Sequence, residues 1–150
     1  MRKRMFALAG VMAVAAMPAL ATPASAVTRC ETTDARYVAN IQLVAKICVE
    51  RHPSTGKFQS RVTLSWTKLN NPGGFTQFEV YTRLERNDAM LEGRSCDDFK
   101  TWINSRDSGA ETCATSWSTR NPPLTGDGTI YYNTGPGQRT WELPGTSAIR

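Results

Sequence analysis

The sequence predicts an all-β fold, an antiparallel sandwich of about seven short strands pinned by two disulfides. Apolar and polar side chains alternate with a period of two through several separate stretches, as strands with one buried face do. Gly, Pro, Asn and Asp cluster between those stretches, at turn positions. Four cysteines, Cys30, Cys48, Cys96 and Cys113, come after an export signal, and there an even count implies two bridges.

Residues 1–26 read as a signal peptide. Arg2, Lys3 and Arg4 form a basic start, residues 6–20 an apolar run, and Ala24-Ser25-Ala26 a cleavage motif that places the new N-terminus between Ala26 and Val27. The run is interrupted by Pro18 and is short of the roughly 20 apolar residues that a membrane span needs. Val27-Thr28-Arg29 before Cys30 is not a lipid-acceptor sequence. Leu143-Pro144-Gly145-Thr146-Ser147 resembles a wall-sorting motif but lacks the apolar span and basic tail of one. The expectation is one freely secreted domain, residues 27–150, extracellular and without membrane insertion.

The strands are read from the N-terminus onward. Residues 37–50 place Tyr37, Ala39, Ile41, Leu43, Ala45, Ile47 and Val49 on one apolar face. His52-Pro53-Ser54-Thr55-Gly56 is a turn. In residues 58–69, Phe58, Val62, Leu64 and Trp66 oppose polar neighbours, and Asn70-Asn71-Pro72-Gly73-Gly74 turns again. Residues 75–86 point Phe78, Val80 and Leu84 inward, and Asn87-Asp88 leads into a strand over 89–96. Phe99, Trp102 and Ile103 behind Asp97-Asp98 predict one helical turn with an aspartate cap. Residues 113–119 alternate with Trp117 on the core side, and residues 129–133 and 139–143 form a terminal hairpin. This set fits an immunoglobulin-like sandwich, with a partly closed barrel as the alternative.

Four cysteines allow three pairings. Local pairing, Cys30 with Cys48 and Cys96 with Cys113, closes two short loops, each worth about 3 kcal/mol in the chain-entropy model. A straight strand from Val38 to Cys48 would run about 33 Å and nearly outreach the chain returning from Cys30. Local pairing therefore requires that strand to begin near Asn40 or to bend; otherwise a link such as Cys48–Cys113 is preferred.

Composition narrows the chemistry. The formal charge of +5 includes three residues of the signal, which leaves 15 Lys and Arg against 13 Asp and Glu, a net +2. Such a scattered, nearly balanced charge is not a nucleic-acid footprint. The single histidine, His52, sits in a turn with no G-x-S-x-G elbow in the chain. Zinc needs three or four Cys, His or acid ligands, and the cysteines are expected to be paired. Glu79, Glu85, Glu92, Asp97 and Asp98 are the carboxylates that glycoside hydrolysis would draw on. Glu79 and Glu85, beside Arg83 and Arg86, read as a solvated strand face. No cofactor or metal is expected. Tyr132 and Trp141 in the terminal hairpin, with Tyr81, are the candidate ligand surface, because aromatics on a β face stack on sugars or anchor partners. Trp66 and Trp117 are expected in the core, and the loops 70–74 and 134–138 are the alternative contact edges.

The Met-Arg-Lys-Arg start, the signal ending in Ala24-Ser25-Ala26 and the 124 β-rich residues carrying Cys30, Cys48, Cys96 and Cys113 resemble the small secreted four-cysteine β proteins of actinobacteria. The likeness spans the whole chain and lies in its layout. It implies a bacterial, extracellular setting and supplies no activity. The expected function is a monomeric extracellular module that binds a protein or a cell-surface glycan. The alternative is a small secreted hydrolase or toxin using His52 with nearby carboxylates.

Overall fold

A computed structural model describes residues 26–150, so the segment read as a signal, Ala26 apart, lies outside the described residues. Nine strands and one helix form: β1 (Val27–Thr32), β2 (Arg36–Val38), β3 (Ile41–Arg51), β4 (Phe58–Lys68), β5 (Gln77–Arg86), β6 (Ala89–Cys96), α1 (Phe99–Ser105), β7 (Ser108–Ala114), β8 (Thr125–Asn133) and β9 (Arg139–Glu142). They make two antiparallel sheets. The first runs β1-β3-β4-β7, with β2 also paired to β3, and the second runs β6-β5-β8-β9. The sandwich is therefore the fold, and among the described residues no barrel closes. The likeness to an immunoglobulin domain lies in the two packed sheets. The strand order differs, because the first four strands here all stay in one sheet.

The two additional strands come from the first 15 residues after Ala26. Ala39 and Asn40 both adopt left-handed backbone, φ 49° and 57°, which folds Arg36–Val38 back onto β3 as a tight hairpin. Residues 37–50 are thus a turn and two strands rather than one. Ahead of them β1, polar enough to read as a lead-in, pairs with the other half of β3, Cys30 directly opposite Cys48.

The bridges are Cys30–Cys48, with Cα atoms 4.1 Å apart, and Cys96–Cys113, 5.9 Å apart. Because β3 begins at Ile41, the chain returns to Cys30 without the overreach of a straight strand. The first bridge lies within one sheet and the second joins an edge strand of each.

Between the sheets, Ile41, Leu43, Ile47, Val62, Leu64 and Trp66 meet Phe78, Val80, Ile130 and Tyr132, and α1 adds Phe99 and Ile103 at one side. A second cluster, Val49, Phe58, Leu84, Leu124 and Ile149, fills one end. Asp98 stands before α1 without a side-chain cap, so packing of Phe99 and Ile103 holds that turn. Strand β8 starts at Thr125, four residues before the expected point. Its Gly126 and Gly128 mark close approach of the sheets: a methyl on Gly128 would lie 2.7 Å from Val62 Cγ2, and one on Gly126 3.0 Å from the Cys48 carbonyl oxygen.

Candidate functional site

The last strand of the first sheet ends at Ala114, and the loop beyond it shapes an open concavity. Thr115 is locked down: its N–H donates to the Ser60 carbonyl (2.9 Å), and its Oγ1 accepts from the Ser60 N–H (3.1 Å). Three residues later Ser118 and Phe58 exchange both backbone hydrogen bonds at 2.8 Å. Between these anchors Ser116 and Trp117 swing outward. Trp117 is 39% exposed, in contrast to the buried core position expected from its alternation, because the strand stops before reaching it.

Trp117 is braced from outside by the His52 ring, edge to face at 5.1 Å and 86°. His52 is itself fixed by its turn. Its Nδ1 accepts from the Ser54 and Thr55 backbone N–H groups, both at 3.3 Å. A catalytic triad needs that nitrogen to carry a proton toward a carboxylate. Among the described residues no carboxylate bonds or pairs with His52.

The opposite wall comes from the second sheet. Arg86, at the end of β5, donates to the Asn121 carbonyl. Glu92 of β6 accepts from Ser118 Oγ at 3.4 Å and lies 3.7 Å from Arg120 Nε. Arg86, Glu92, Trp117, Ser118, Thr119, Arg120 and Asn121 together line an open pocket of about 460 Å³. It offers an aromatic ring, hydroxyls, an amide and two guanidinium groups against one carboxylate. That set suits a polar ligand held by hydrogen bonds and stacking.

The hairpin aromatics lie elsewhere. Tyr132 is 2% exposed and Trp141 8%, so neither forms the ligand surface expected of it. Strand β8 turns Ile130 and Tyr132 inward, and register with Ile130 carries Trp141 to the same side. The Arg36 guanidinium lies near both rings, 5.8 Å and 5.2 Å from their centroids. Tyr131 takes the outward position, and Tyr81, half-buried, donates its hydroxyl to Met90 Sδ. Trp66 is buried as its strand pattern requires.

The face carrying Glu85 is less solvated than its sequence suggests. Arg83 bonds Glu85 (2.9 Å), Asp127 (2.7 Å) and Thr129 (2.9 Å), and Thr129 donates onward to Glu142 (2.8 Å). Glu85 is itself buried. Burial, and after it the charge of Asp127, push its carboxyl above the usual glutamate range, against the pull of Arg83. Glu79 accepts from Ser95 across the same sheet. Among the described residues no group of three His, Cys, Asp or Glu side chains is placed to hold a metal.

The chain matches no family model, no curated protein and no solved structure. The Trp117 pocket is thus defined by its own residues. The alternation of residues 113–119 obscured it. The signal that would have exposed it is the polar run around Trp117, Ser116 through Asn121, ending in Pro122-Pro123, which cannot continue a central strand.

Proposed function

We propose that this chain is a secreted binding module whose ligand, an extracellular protein or a cell-surface glycan, sits in the Trp117 pocket. The observation that carries this is a large aromatic side chain, 39% exposed, standing among hydrogen-bonding groups in a concavity. Exposing an indole is unfavourable by the apolar area left in water, and such rings are the commonest anchors of binding surfaces. Export is supported by the basic, apolar and Ala-x-Ala succession of residues 1–26 and by the two bridges. The layout shared with small secreted actinobacterial four-cysteine β proteins agrees with that setting.

The test immobilises residues 27–150 and passes cell-surface glycans and secreted-protein fractions over them. Trp117→Ala is expected to weaken retention more than about tenfold, as for a buried aromatic anchor. Leu69→Ala, also exposed but in the turn after β4, is expected to leave retention unchanged. Equal retention by Trp117→Ala and the unmodified chain would remove the pocket from the function.

A further inference from the structure

We infer that the Trp117 pocket selects an acidic glycan, one whose sugar rings carry carboxylates. This rests on the binding reading of that pocket and narrows its ligand class. Three features of the pocket point the same way.

The first is charge. Arg86 and Arg120 line the pocket with Glu92 as the one acid among the lining residues. Arg120 is 53% exposed and its Nε is 3.7 Å from Glu92, beyond the 2.7–2.9 Å of a charge-assisted hydrogen bond. Its guanidinium therefore keeps donors for a second carboxylate, and Arg is the side chain whose planar fork fits one.

The second feature is the ring. An exposed indole next to guanidinium groups supplies an apolar face for the C–H side of a sugar beside donors for its acid group. The third is the lining between them. Thr119 and Asn121 present short hydroxyl and amide groups suited to sugar hydroxyls, whereas an apolar ligand would find little greasy wall. A neutral glycan would use the ring and the polar lining but leave the remaining donors of Arg120 unused. A carboxylated one uses all three.

A matched pair of probes isolates the acid group: an oligogalacturonate and its fully methyl-esterified counterpart, which share one skeleton. Each is titrated into isotopically labelled residues 27–150 and monitored by amide chemical shifts. The acid form is expected to bind at the amides of residues 115–121, and to weaken as salt is added. The ester is expected to bind at least about tenfold more weakly, the loss of one or more charge-assisted hydrogen bonds. Arg120→Gln should cost the acid form a comparable factor while leaving the ester unchanged, and its high exposure keeps the fold intact. Equal binding of acid and ester overturns the acidic preference but leaves the pocket a glycan site, provided Trp117→Ala still abolishes it. Binding of neither overturns the inference outright, and the retention assay with Trp117→Ala then decides the broader reading separately. Acid binding that survives Arg120→Gln and Arg86→Gln together also overturns it.

Discussion

Single residues decide where this chain turns and which aromatics reach solvent. Ala39 holds φ 49°, a left-handed conformation that costs a Cβ-bearing residue about 1–2 kcal/mol. Its neighbour Asn40, at φ 57°, tolerates the same region through its short polar side chain. Ala39→Gly is therefore expected to stabilise the protein by about 1 kcal/mol, offset in part by the freer unfolded chain. Urea unfolding at unchanged slope checks this, and a lower midpoint would show that Ala39 packing against Gly73 outweighs backbone relief. The same residue explains a limit of pattern reading. Ala39 fits the apolar face of a continuous strand over 37–50, and nothing in its side chain announces a turn. Tyr131-Tyr132 set a similar limit. Two adjacent tyrosines fit either face, and the burial of Ile130, two positions before Tyr132, selects Tyr132 as the inner one. Trp117 was hidden for the opposite reason: its alternation was real, but the strand it implied ends at Ala114.

At the scale of elements, alternation located β3, β4 and β5, whose buried residues, Cys48 and Glu85 apart, fall where a period of two puts them. It failed for β1 and β7, edge strands whose polar residues carry little periodic signal, and for the start of β8. There Gly126-Asp127-Gly128 looks like a turn but exists so that two sheets can touch. Strands β5, β8 and β9 also build the Arg83 network, in which Asp127 crowds the buried Glu85. Because the Glu85 carboxyl is raised in the folded state, the folded protein holds a proton that the unfolded chain has already released. Stability is then present at low pH and falls as pH rises from the ordinary glutamate range, about pH 4.3, through the raised value. Glu85→Gln is expected to abolish that fall and to be at least as stable as the unmodified protein near neutrality. Urea unfolding across that range checks it. A slope that persists in Glu85→Gln would place the titration on another group.

Across the whole molecule, two sheets meet over one main core and two bridges staple the chain, yet the two differ in what they hold. Cys30–Cys48 lies inside the first sheet and secures β1 to β3. Cys96–Cys113 spans the sandwich from β6 to β7. Their sequence separations, 18 and 17, are nearly equal, so the chain-entropy model gives each about 3 kcal/mol and predicts similar losses of stability when either is removed. Position separates them. Cys113 lies two residues before Thr115, where the pocket loop is anchored, and Cys96 four residues after Glu92, which forms the facing wall. Cutting the inter-sheet bridge frees those walls to move apart, whereas cutting the other leaves them joined. Cys96→Ser with Cys113→Ser is therefore expected to speed hydrogen exchange of the amides in residues 115–121. The pair Cys30→Ser and Cys48→Ser should instead speed exchange in β1 and leave the pocket loop protected. Equal exchange of the loop in both variants would mean that the Ser118–Phe58 backbone bonds and the second core cluster hold the pocket without the bridge.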